Sequence, residues 1–417
     1  MKALSYFILF LAFINLIRLT LFMVSADRYE TKARRRKLAK SPYQPLISVV
    51  IPAYNEEVCI VRTVKSAIAN DYRNKEIIVV VNNSTDRTYS RLRAFKRRYN
   101  VANLTVVNQK AQGKALAVNN GVKKYAKGKL IMVLDADSQL APDAISRMVD
   151  YFRDRQVVAA AANVKVIDGW RLLTIAQRLE YVVSHRMKRA LTTLNMEYII
   201  GGVGSTFRRS IIEKCEYYDT DTLTEDIDFT MKIINRKGNR KNKIVFAADV
   251  LAYTEGVVRF SSLVRQRFRW KFGRMQTFVK NRSVFFSRQS KHSKKLAWVY
   301  LPFVVFSELL LLLDPFLTLY VLITTLLYAG IGGFLAVYLF VTLFSSINIL
   351  AEPTETFKAK LRLILIALFS YGLLMMMSFV DFLALMKSLK RFPELFRGKG
   401  GIGHWEKPER TGIQLSA

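Results

Sequence analysis

The sequence predicts an α/β, Rossmann-like domain joined to an α-helical transmembrane bundle through amphipathic helices at the membrane interface. Over residues 46–256, short apolar runs alternate with helical segments, and over residues 296–386 the apolar runs become long. Apolar strands that alternate with helices are typical of a parallel sheet covered on both faces. Runs of about 20 apolar residues are typical of helices that cross a membrane.

The chain begins with an apolar stretch, and residues 1–26 are predicted to form one transmembrane helix. No small-residue cleavage site precedes its basic flank, which favours an uncleaved span over a signal peptide. Residues 27–45 are predicted to be a basic juxtamembrane linker. The positive-inside rule places this linker and the domain after it in the cytoplasm.

Four apolar runs predict the strands of the α/β domain, namely ISVVIPA, EIIVVV, LTVVN and LIMVL. Each run is followed by polar residues. In parallel sheets, ligands bind at the carboxyl ends of the strands. The polar residues are therefore expected to share one site at that edge of the sheet.

The rest of the chain predicts a membrane part. Residues 257–295 mix basic and apolar side chains at helical spacing, which predicts an amphipathic segment on the membrane surface, with an ordinary basic surface helix as the alternative. Residues 296–386 predict the bundle, and residues 387–417 a basic tail that the positive-inside rule keeps in the cytoplasm. The number of membrane crossings after the α/β domain must then be even. There are either four crossings, or two crossings together with one surface-lying or re-entrant segment.

The formal net charge of +33 indicates an anionic partner. Basic segments beside membrane spans bind the anionic lipids of the cytoplasmic leaflet, so we expect membrane lipids, and no nucleic acid, as that partner. The two cysteines, Cys59 and Cys215, lack metal-ligand spacing and are interpreted as packing residues in a reducing compartment.

Asp135 and Asp137 are two residues apart at the end of the fourth apolar run. If the strand is still extended there, their carboxylates lie side by side, and such a pair favours a hard divalent cation that also binds phosphate oxygens. A cation in this position would neutralise a leaving diphosphate. Two solvated carboxylates in a loop are the alternative.

Asp226 opens a helical run further along the chain. It is either a helix cap or a general base that takes the proton from an attacking hydroxyl group, with Glu225 beside it to set its orientation and pKa.

Gln266, Arg269 and Trp270 share one face of a predicted helix. On that face an arginine can bind a diphosphate and a tryptophan can stack on a sugar ring. Lys114 is a further candidate for phosphate contact. A solvated helix face is the alternative for each of these residues.

In their order along the chain, PAYNEE, NNSTDRT, QGKALAVNNG, DADS, TEDIDFT and QRFRW closely resemble the motifs of family 2 glycosyltransferases of the processive, membrane-integrated kind. This group includes synthases of cellulose, chitin, hyaluronan and poly-N-acetylglucosamine. The match covers residues 48–270. The tail GGIGHWEKPERTG is similar to the ending of bacterial poly-N-acetylglucosamine synthases.

The resemblance implies a GT-A fold, an inverting displacement and a Mg²⁺ or Mn²⁺ ion. The resemblance implies that Tyr54, Glu56 and Asn82 bind the nucleotide. It also implies that Asp135 and Asp137 bind the diphosphate and the metal ion, and that Asp226 is the general base. The acceptor-binding residues it implies are Gly202, Ser205, Phe207 and Trp270. By similarity to related synthases, Trp405 and Arg410 would belong to a loop that closes over the donor.

The family usually has Asp at the position of Asn82. The amide oxygen of Asn can accept the same hydrogen bond from a uracil ring, so uridine remains the expected nucleotide.

We therefore expect a nucleotide-sugar-dependent hexosyltransferase of the cell membrane that extends and exports a polysaccharide, with UDP-N-acetylglucosamine as donor. The sequence leaves open a single-addition enzyme with a lipid acceptor, a hyaluronan-, chitin- or glucan-type synthase, and the participation of an accessory membrane subunit. A catalytically inactive export subunit is a further alternative, which the intact acidic motifs and Arg269 disfavour.

Overall fold

The computed structural model describes residues 2–38, 43–167 and 171–396. Its strands are β1 (Ile47–Ala53), β2 (Lys75–Asn82), β3 (Leu104–Gln109), β4 (Leu130–Val133), β5 (Gln139–Leu140), β6 (Val157–Val166), β7 (Ser205–Arg208) and β8 (Lys243–Thr254). They form one eight-stranded sheet in the order β3-β2-β1-β4-β7-β6-β8-β5.

The half of the sheet from β3 to β4 is the one that the sequence predicts. β1 pairs in parallel with β2 and with β4, and β2 pairs in parallel with β3. Every residue of β1 is buried. Val50 belongs to one apolar cluster, and Val49 and Ile51 belong to another. Since alternate side chains of a strand point to opposite faces, this half of the sheet is covered on both faces, as expected.

The other half of the sheet is mixed, which corrects the expectation of a parallel sheet. β7 pairs antiparallel with β4 and β6, and β5 pairs antiparallel with β8, whereas β6 and β8 are parallel. β6 and β7 carry many small or polar residues, as in VVAAAANVKV and STFR, so their apolar signal in the sequence is weak. The α/β class is confirmed, with a mixed sheet.

The helices surround this sheet and continue into the apolar part of the chain. They are α1 (Lys2–Leu38), α2 (Ile60–Ile68), α3 (Thr88–Tyr99), α4 (Lys114–Asn120), α5 (Ala144–Tyr151), α6 (Leu172–Leu194), α7 (Arg209–Lys214), α8 (Glu225–Lys237), α9 (Phe260–Lys280), α10 (Leu301–Leu310), α11 (Asp314–Thr324), α12 (Gly330–Leu350), α13 (Phe357–Ala367) and α14 (Ser370–Lys390).

α1 extends past the predicted boundary at residue 26. Residues 27–38, which we expected to be a linker, continue this helix, and Tyr29 packs on the α/β domain. The Tyr29 hydroxyl donates to the carbonyl oxygen of Phe246 at 2.8 Å and lies 2.7 Å from the Tyr151 hydroxyl. The N-terminal helix is thus attached to the sheet at Tyr29.

α12 and α14 are each long and apolar enough to cross a membrane. The segments Lys295–Leu310 and Asp314–Tyr328 pass the same test only as a pair, and they meet at an angle of 66°. The described residues therefore contain two candidate spans, or three if the bent pair is one span. The expected pass over residues 361–386 is divided between α13 and α14. The number of crossings stays a prediction.

Both cysteines are buried and free, in agreement with a packing role. Burial raises the pKa of the Cys59 thiol to about 12, which makes it a poor nucleophile.

Candidate active site

The segments after β1 and β2 are joined to each other at the carboxyl edge of the sheet. The backbone N–H of Asn55 donates to Ser84 Oγ at 3.0 Å, and that of Glu56 donates to Thr88 Oγ1 at 2.8 Å. Tyr54 lies in the same segment and is half-buried, whereas Glu56 is buried. These bonds bring together Tyr54, Glu56 and the end of β2, as the sequence predicts.

Asn82, at the end of β2, is buried and uses its side-chain oxygen inside the protein. Asn82 Oδ1 accepts from the backbone N–H of Gly113 at 3.2 Å and from Gln109 Nε2 at 3.0 Å. Because a backbone N–H can only donate, it fixes the amide with its oxygen inward. The oxygen that we expected to accept from a uracil ring therefore has two internal donors already. The side-chain NH₂ group of Asn82 is the part that remains available to bind a nucleobase.

Asp135 and Asp137 lie in a turn rather than on an extended strand. β4 ends at Val133, and the backbone N–H of Ser138 donates to the carbonyl oxygen of Asp135 at 3.0 Å. The condition for two side-by-side carboxylates is therefore not met. The two side chains have different partners, since Asp137 accepts from Ser138 Oγ at 2.9 Å and Asp135 lies 2.7 Å from Lys114 Nζ.

Lys114 is the centre of the site. Its Nζ lies 2.7 Å from Asp135 Oδ1 and 2.9 Å from Glu225 Oε1. Burial alone would lower the pKa of Lys114, but the charges of Asp135, Glu225 and Asp226 outweigh it and hold the pKa well above its usual value. Lys114 therefore stays protonated and links the end of β4 to the start of α8.

Asp226 lies in the first turn of α8 and accepts from the backbone N–H of Ile227 at 2.8 Å. Desolvation, together with the charge of Glu225, raises the pKa of Asp226 to about 6, although the charge of Lys114 opposes the shift. The role of a helix cap would not require a raised pKa of the Asp226 carboxyl group. A carboxylate that titrates close to neutral pH is suited to receive a proton.

Tyr218 is a neighbour of this cluster that the sequence did not single out. Burial and the charges of Glu225 and Asp226 raise the pKa of its hydroxyl well above the usual value. The ring stacks on Phe229 at 4.2 Å between centroids. Tyr218 therefore stays a neutral phenol beside the carboxylates, and only its position in the fold could identify it.

Ser205 and Phe207, expected to bind the acceptor, are buried in β7. Phe207 has no exposed surface and packs edge-on against Phe229 at 5.3 Å, while Ser205 is 1% exposed. Their side chains cannot contact an acceptor in this structure. Phe207 instead supports the Tyr218 ring, at 6.2 Å between centroids.

Gly202, from the same predicted acceptor segment, does lie in the site. A Cβ on Gly202 would lie 2.7 Å from Lys114 Nζ and 3.1 and 3.2 Å from the two carboxylate oxygens of Asp135. The contact with Lys114 is shorter than packed atoms tolerate, and the two contacts with Asp135 require its carboxylate to shift by a few tenths of an ångström. A side chain at this position would therefore push against the ion pair of Lys114 and Asp135.

Gly202→Ala should therefore reduce transfer, by about tenfold or more at ~1.4 kcal/mol per tenfold, because the new methyl group displaces Lys114 and Asp135. Gly201→Ala is the matched control, since a Cβ there meets no atom within 4 Å. The measurement is the rate of nucleotide release by both variants at equal amounts of inserted protein. Equal rates would show that the close approach of Gly202 has no role.

The predicted face of α9 is directed toward the segment before α8. Gln266, Arg269, Trp270 and Gly273 follow the spacing of one helical face. A Cβ on Gly273 would lie 2.4 Å from Thr224 Oγ1, so α9 crosses this segment at close range. The three predicted donor residues are therefore on the side of α9 that faces Thr224, which directly precedes Glu225.

Basic residues on the adjoining sides of α9 are ion-paired to other helices. Lys271 Nζ lies 3.4 Å from Asp381 of α14 and 3.2 Å from Glu308 of α10. Arg267 binds Glu180 of α6 at 2.8 Å. The sequence analysis did not predict these ion pairs. Isolated acidic residues within the apolar runs could have indicated them.

A second group of acids, Asp219, Asp221 and Asp228, has carboxylate oxygens within 4.8 Å of one another. Lys280 Nζ lies 2.7 Å from Asp219, 2.7 Å from Asp221 and 2.9 Å from Asp228. Its ammonium group lies within hydrogen-bond distance of all three carboxylates and occupies the position that a cation would take, so we do not interpret the cluster as a metal site.

Trp405 and Arg410 lie outside the described residues. Their expected role in closing over the donor stays a prediction.

The carboxylates grouped around Lys114 at the carboxyl ends of the strands form the candidate active site of this α/β domain. Residues 44–273 match the family model described as "Glycosyltransferase like family 2", and the chain belongs to this family. It is a nucleotide-sugar-dependent glycosyltransferase.

Among its relatives is a poly-beta-1,6-N-acetyl-D-glucosamine synthase from Staphylococcus epidermidis, 26% identical over 401 residues, which are 92% of this chain and 93% of that one. The enzyme of the same name from Staphylococcus aureus strain COL is 29% identical over 260 residues, 61% of each chain. A mannosyltransferase from Pyrobaculum calidifontis, solved with GDP-Man and Mn²⁺, has a TM-score of 0.55 at 19% identity and covers 89% of this chain and 95% of its own. That likeness supports the fold.

Proposed function

We propose that the protein transfers N-acetylglucosamine, with inversion, from UDP-N-acetylglucosamine to the end of a growing polysaccharide. The observation that carries this proposal is the position of Asp226, a carboxylate with a raised pKa beside Lys114 and Asp135. Similarity to a poly-beta-1,6-N-acetyl-D-glucosamine synthase over 92% of the chain supports both the sugar and a polymeric product.

In the proposed reaction, the oxygen of an acceptor hydroxyl attacks the anomeric carbon of the donor. The bond between that carbon and the diphosphate oxygen breaks, and the diphosphate leaves with the bonding electrons. The hydroxyl proton passes to Asp226. Lys114, protonated between Asp135 and Glu225, places positive charge close to the developing charge on the leaving group.

The residues at the end of β4 suit a Mg²⁺ or Mn²⁺ ion. Asp135 and Asp137 supply carboxylate oxygens, which these ions prefer, and Gly202 places no side chain against the carboxylate of Asp135. We propose that these two aspartates hold the ion. When bound, it supplies charge that stabilises the leaving diphosphate.

The remaining contacts belong to the ends of β1 and β2 and to α9. We propose that Tyr54, Glu56 and Asn82 contact the nucleotide. Gln266, Arg269 and Trp270 face the same region and are proposed to bind the diphosphate and the sugar, with Trp270 also contacting the acceptor. A loop with Trp405 and Arg410 that closes over the donor is proposed on the resemblance alone.

The catalytic domain is proposed to face the cytoplasm, with the apolar helices carrying the product across the cell membrane. The basic, sheet-packed half of α1 supports this orientation. The outer surfaces of α11 and α12 are rich in exposed apolar side chains, such as Leu319 at 55% and Phe340 at 59% exposure. Surfaces of that kind suit contact with lipid.

Membranes that contain the protein should release UDP from UDP-N-acetylglucosamine faster than from other nucleotide sugars, and a gel should show a ladder of polymer. EDTA should stop the reaction, and Mg²⁺ or Mn²⁺ should restore it. A membrane preparation of Asp226→Asn is the control for background hydrolysis. A single lipid-linked sugar in place of the ladder would instead identify a single-addition enzyme.

The rate of transfer should fall as the pH is lowered through about 6. The pKa of Asp226 is raised to about 6, and a base acts only when it is deprotonated, so the rate rises with pH through this value and is level above about 7. At pH 5 it should be about one tenth of the plateau. Donor affinity, measured in parallel, separates this loss from weaker binding. An acid limb centred near pH 4 would contradict the assignment of Asp226.

A further inference from the structure

A cavity of about 200 Å³ lies where α1 meets α9 and α10. Its lining includes Arg18 and Phe22 of α1, Arg274 of α9, and Phe303 and Glu308 of α10. Phe22, one turn after Arg18, belongs to the buried core of the α/β domain. The cavity is therefore at the junction between this domain and the apolar helices.

Arg18 is the unusual residue of this cavity. It interrupts the apolar part of α1, and its guanidinium carbon lies 5.1 Å from the centre of the Phe303 ring. Its Nε is buried without a hydrogen-bond partner, and no acid among the described residues pairs with it. A charge among apolar residues is costly, so an arginine retained there indicates a ligand or a functional partner.

The other cation of the cavity is already compensated. Arg274 forms an ion pair with Glu308, and the Tyr198 hydroxyl bonds to Arg274 as well. The lining therefore has one positive charge without a counter-ion, that of Arg18. An anion would complete the site.

We propose that this cavity binds the phosphate group of an anionic membrane lipid, with Arg18 as its principal contact. A guanidinium group matches phosphate oxygens with two parallel hydrogen bonds. The volume equals roughly seven waters at ~30 Å³ each, which accommodates a phosphate group. Ile17, Phe306 and Leu309, neighbours of the lining residues, are 46%, 46% and 57% exposed and offer an apolar surface for the acyl chains.

The bound lipid is connected to the catalytic centre through one short segment. Tyr198 lines the cavity, and Gly202, four residues later, lies against Lys114 and Asp135. Occupation of the cavity restrains this segment, so the enzyme should be more active in membranes that contain anionic lipid.

The full-length protein, placed in nanodiscs of phosphatidylcholine with and without phosphatidylglycerol, tests the site. Native mass spectrometry should find one phosphatidylglycerol retained by the wild type after release from the disc and none by Arg18→Gln. Arg28→Gln, on the exposed side of the same helix, removes the same charge and should retain the lipid. Equal retention by wild type and Arg18→Gln would overturn the proposal.

A second variant distinguishes loss of the lipid site from a folding defect of Arg18→Gln. Ser307→Leu fills the cavity without changing its charge and should also lose the retained lipid, whereas undiminished retention would count against the cavity. Inorganic phosphate added to phosphatidylcholine discs should not replace the lipid in raising activity. If it does, the site binds a soluble anion. If Arg18→Gln keeps the lipid but makes shorter polymer, the cavity belongs to the path of the product, and the lipid proposal is wrong.

Discussion

Asp226→Asn should bind the nucleotide sugar with near-native affinity and lose transfer by ~10²–10⁴-fold. The amide oxygen can still accept the hydrogen bond that Asp226 Oδ1 receives from Ile227, so the first turn of α8 should keep its geometry. The proposed proton acceptor, however, is gone. The loss should therefore appear in kcat, with KM close to that of the wild type.

Rapid-mix measurement of nucleotide release, together with donor binding by calorimetry, would separate these two parameters. Asp221→Asn is the matched control, because it removes the same charge from the loop before α8, where the side chain is 61% exposed. The control should be close to wild type. Near-native turnover by Asp226→Asn would mean that another group takes the proton.

The parallel half of the sheet could be read from the sequence because each strand is a continuous apolar run that ends in polar residues. The mixed half could not, since residues such as Ala160 and Thr206 have no periodicity that distinguishes a buried strand from a loop. Pairing between distant segments decides whether such residues form a strand.

The candidate site, like the sheet, could be predicted only in part from the sequence. Lys114, Glu225 and Asp226 were identified from the sequence, but their grouping depends on contacts across more than a hundred residues. Whether Asp135 and Asp137 were side by side depended on where β4 ends, and strand ends are the least predictable feature of a sequence.

The helical extension of α1 was missed for a related reason. A basic flank after an apolar helix is usually solvated, and nothing local indicates that Tyr29 is buried against Phe246. The same holds for α9, whose basic residues predicted a surface helix. Arg267 and Lys271 are instead paired with acids of other helices. Ion pairs between distant elements leave only an isolated charge in the sequence.

Lys114→Gln should lower the transfer rate at pH 7 by roughly 10–100-fold, the range expected for the loss of a ~1.5–3 kcal/mol charged contact. Two effects contribute. The charge of Lys114 opposes the rise in the pKa of Asp226, so without it the base is protonated at a higher pH. Asp135 also loses its ammonium partner at 2.7 Å, so its side chain is held less firmly in the position proposed for binding the diphosphate and metal.

The pH profile distinguishes this explanation from simple misfolding. In Lys114→Gln the acid limb should move above its wild-type position near pH 6, and part of the lost rate should return at pH 8, because deprotonation of Asp226 is then restored. A misfolded protein would not recover on raising the pH. Lys114→Arg keeps the charge and should leave the limb close to its wild-type position, and Lys110→Gln, on an exposed residue nearby, should change nothing. An acid limb that stays at pH 6 in Lys114→Gln would show that Lys114 does not set the protonation of Asp226.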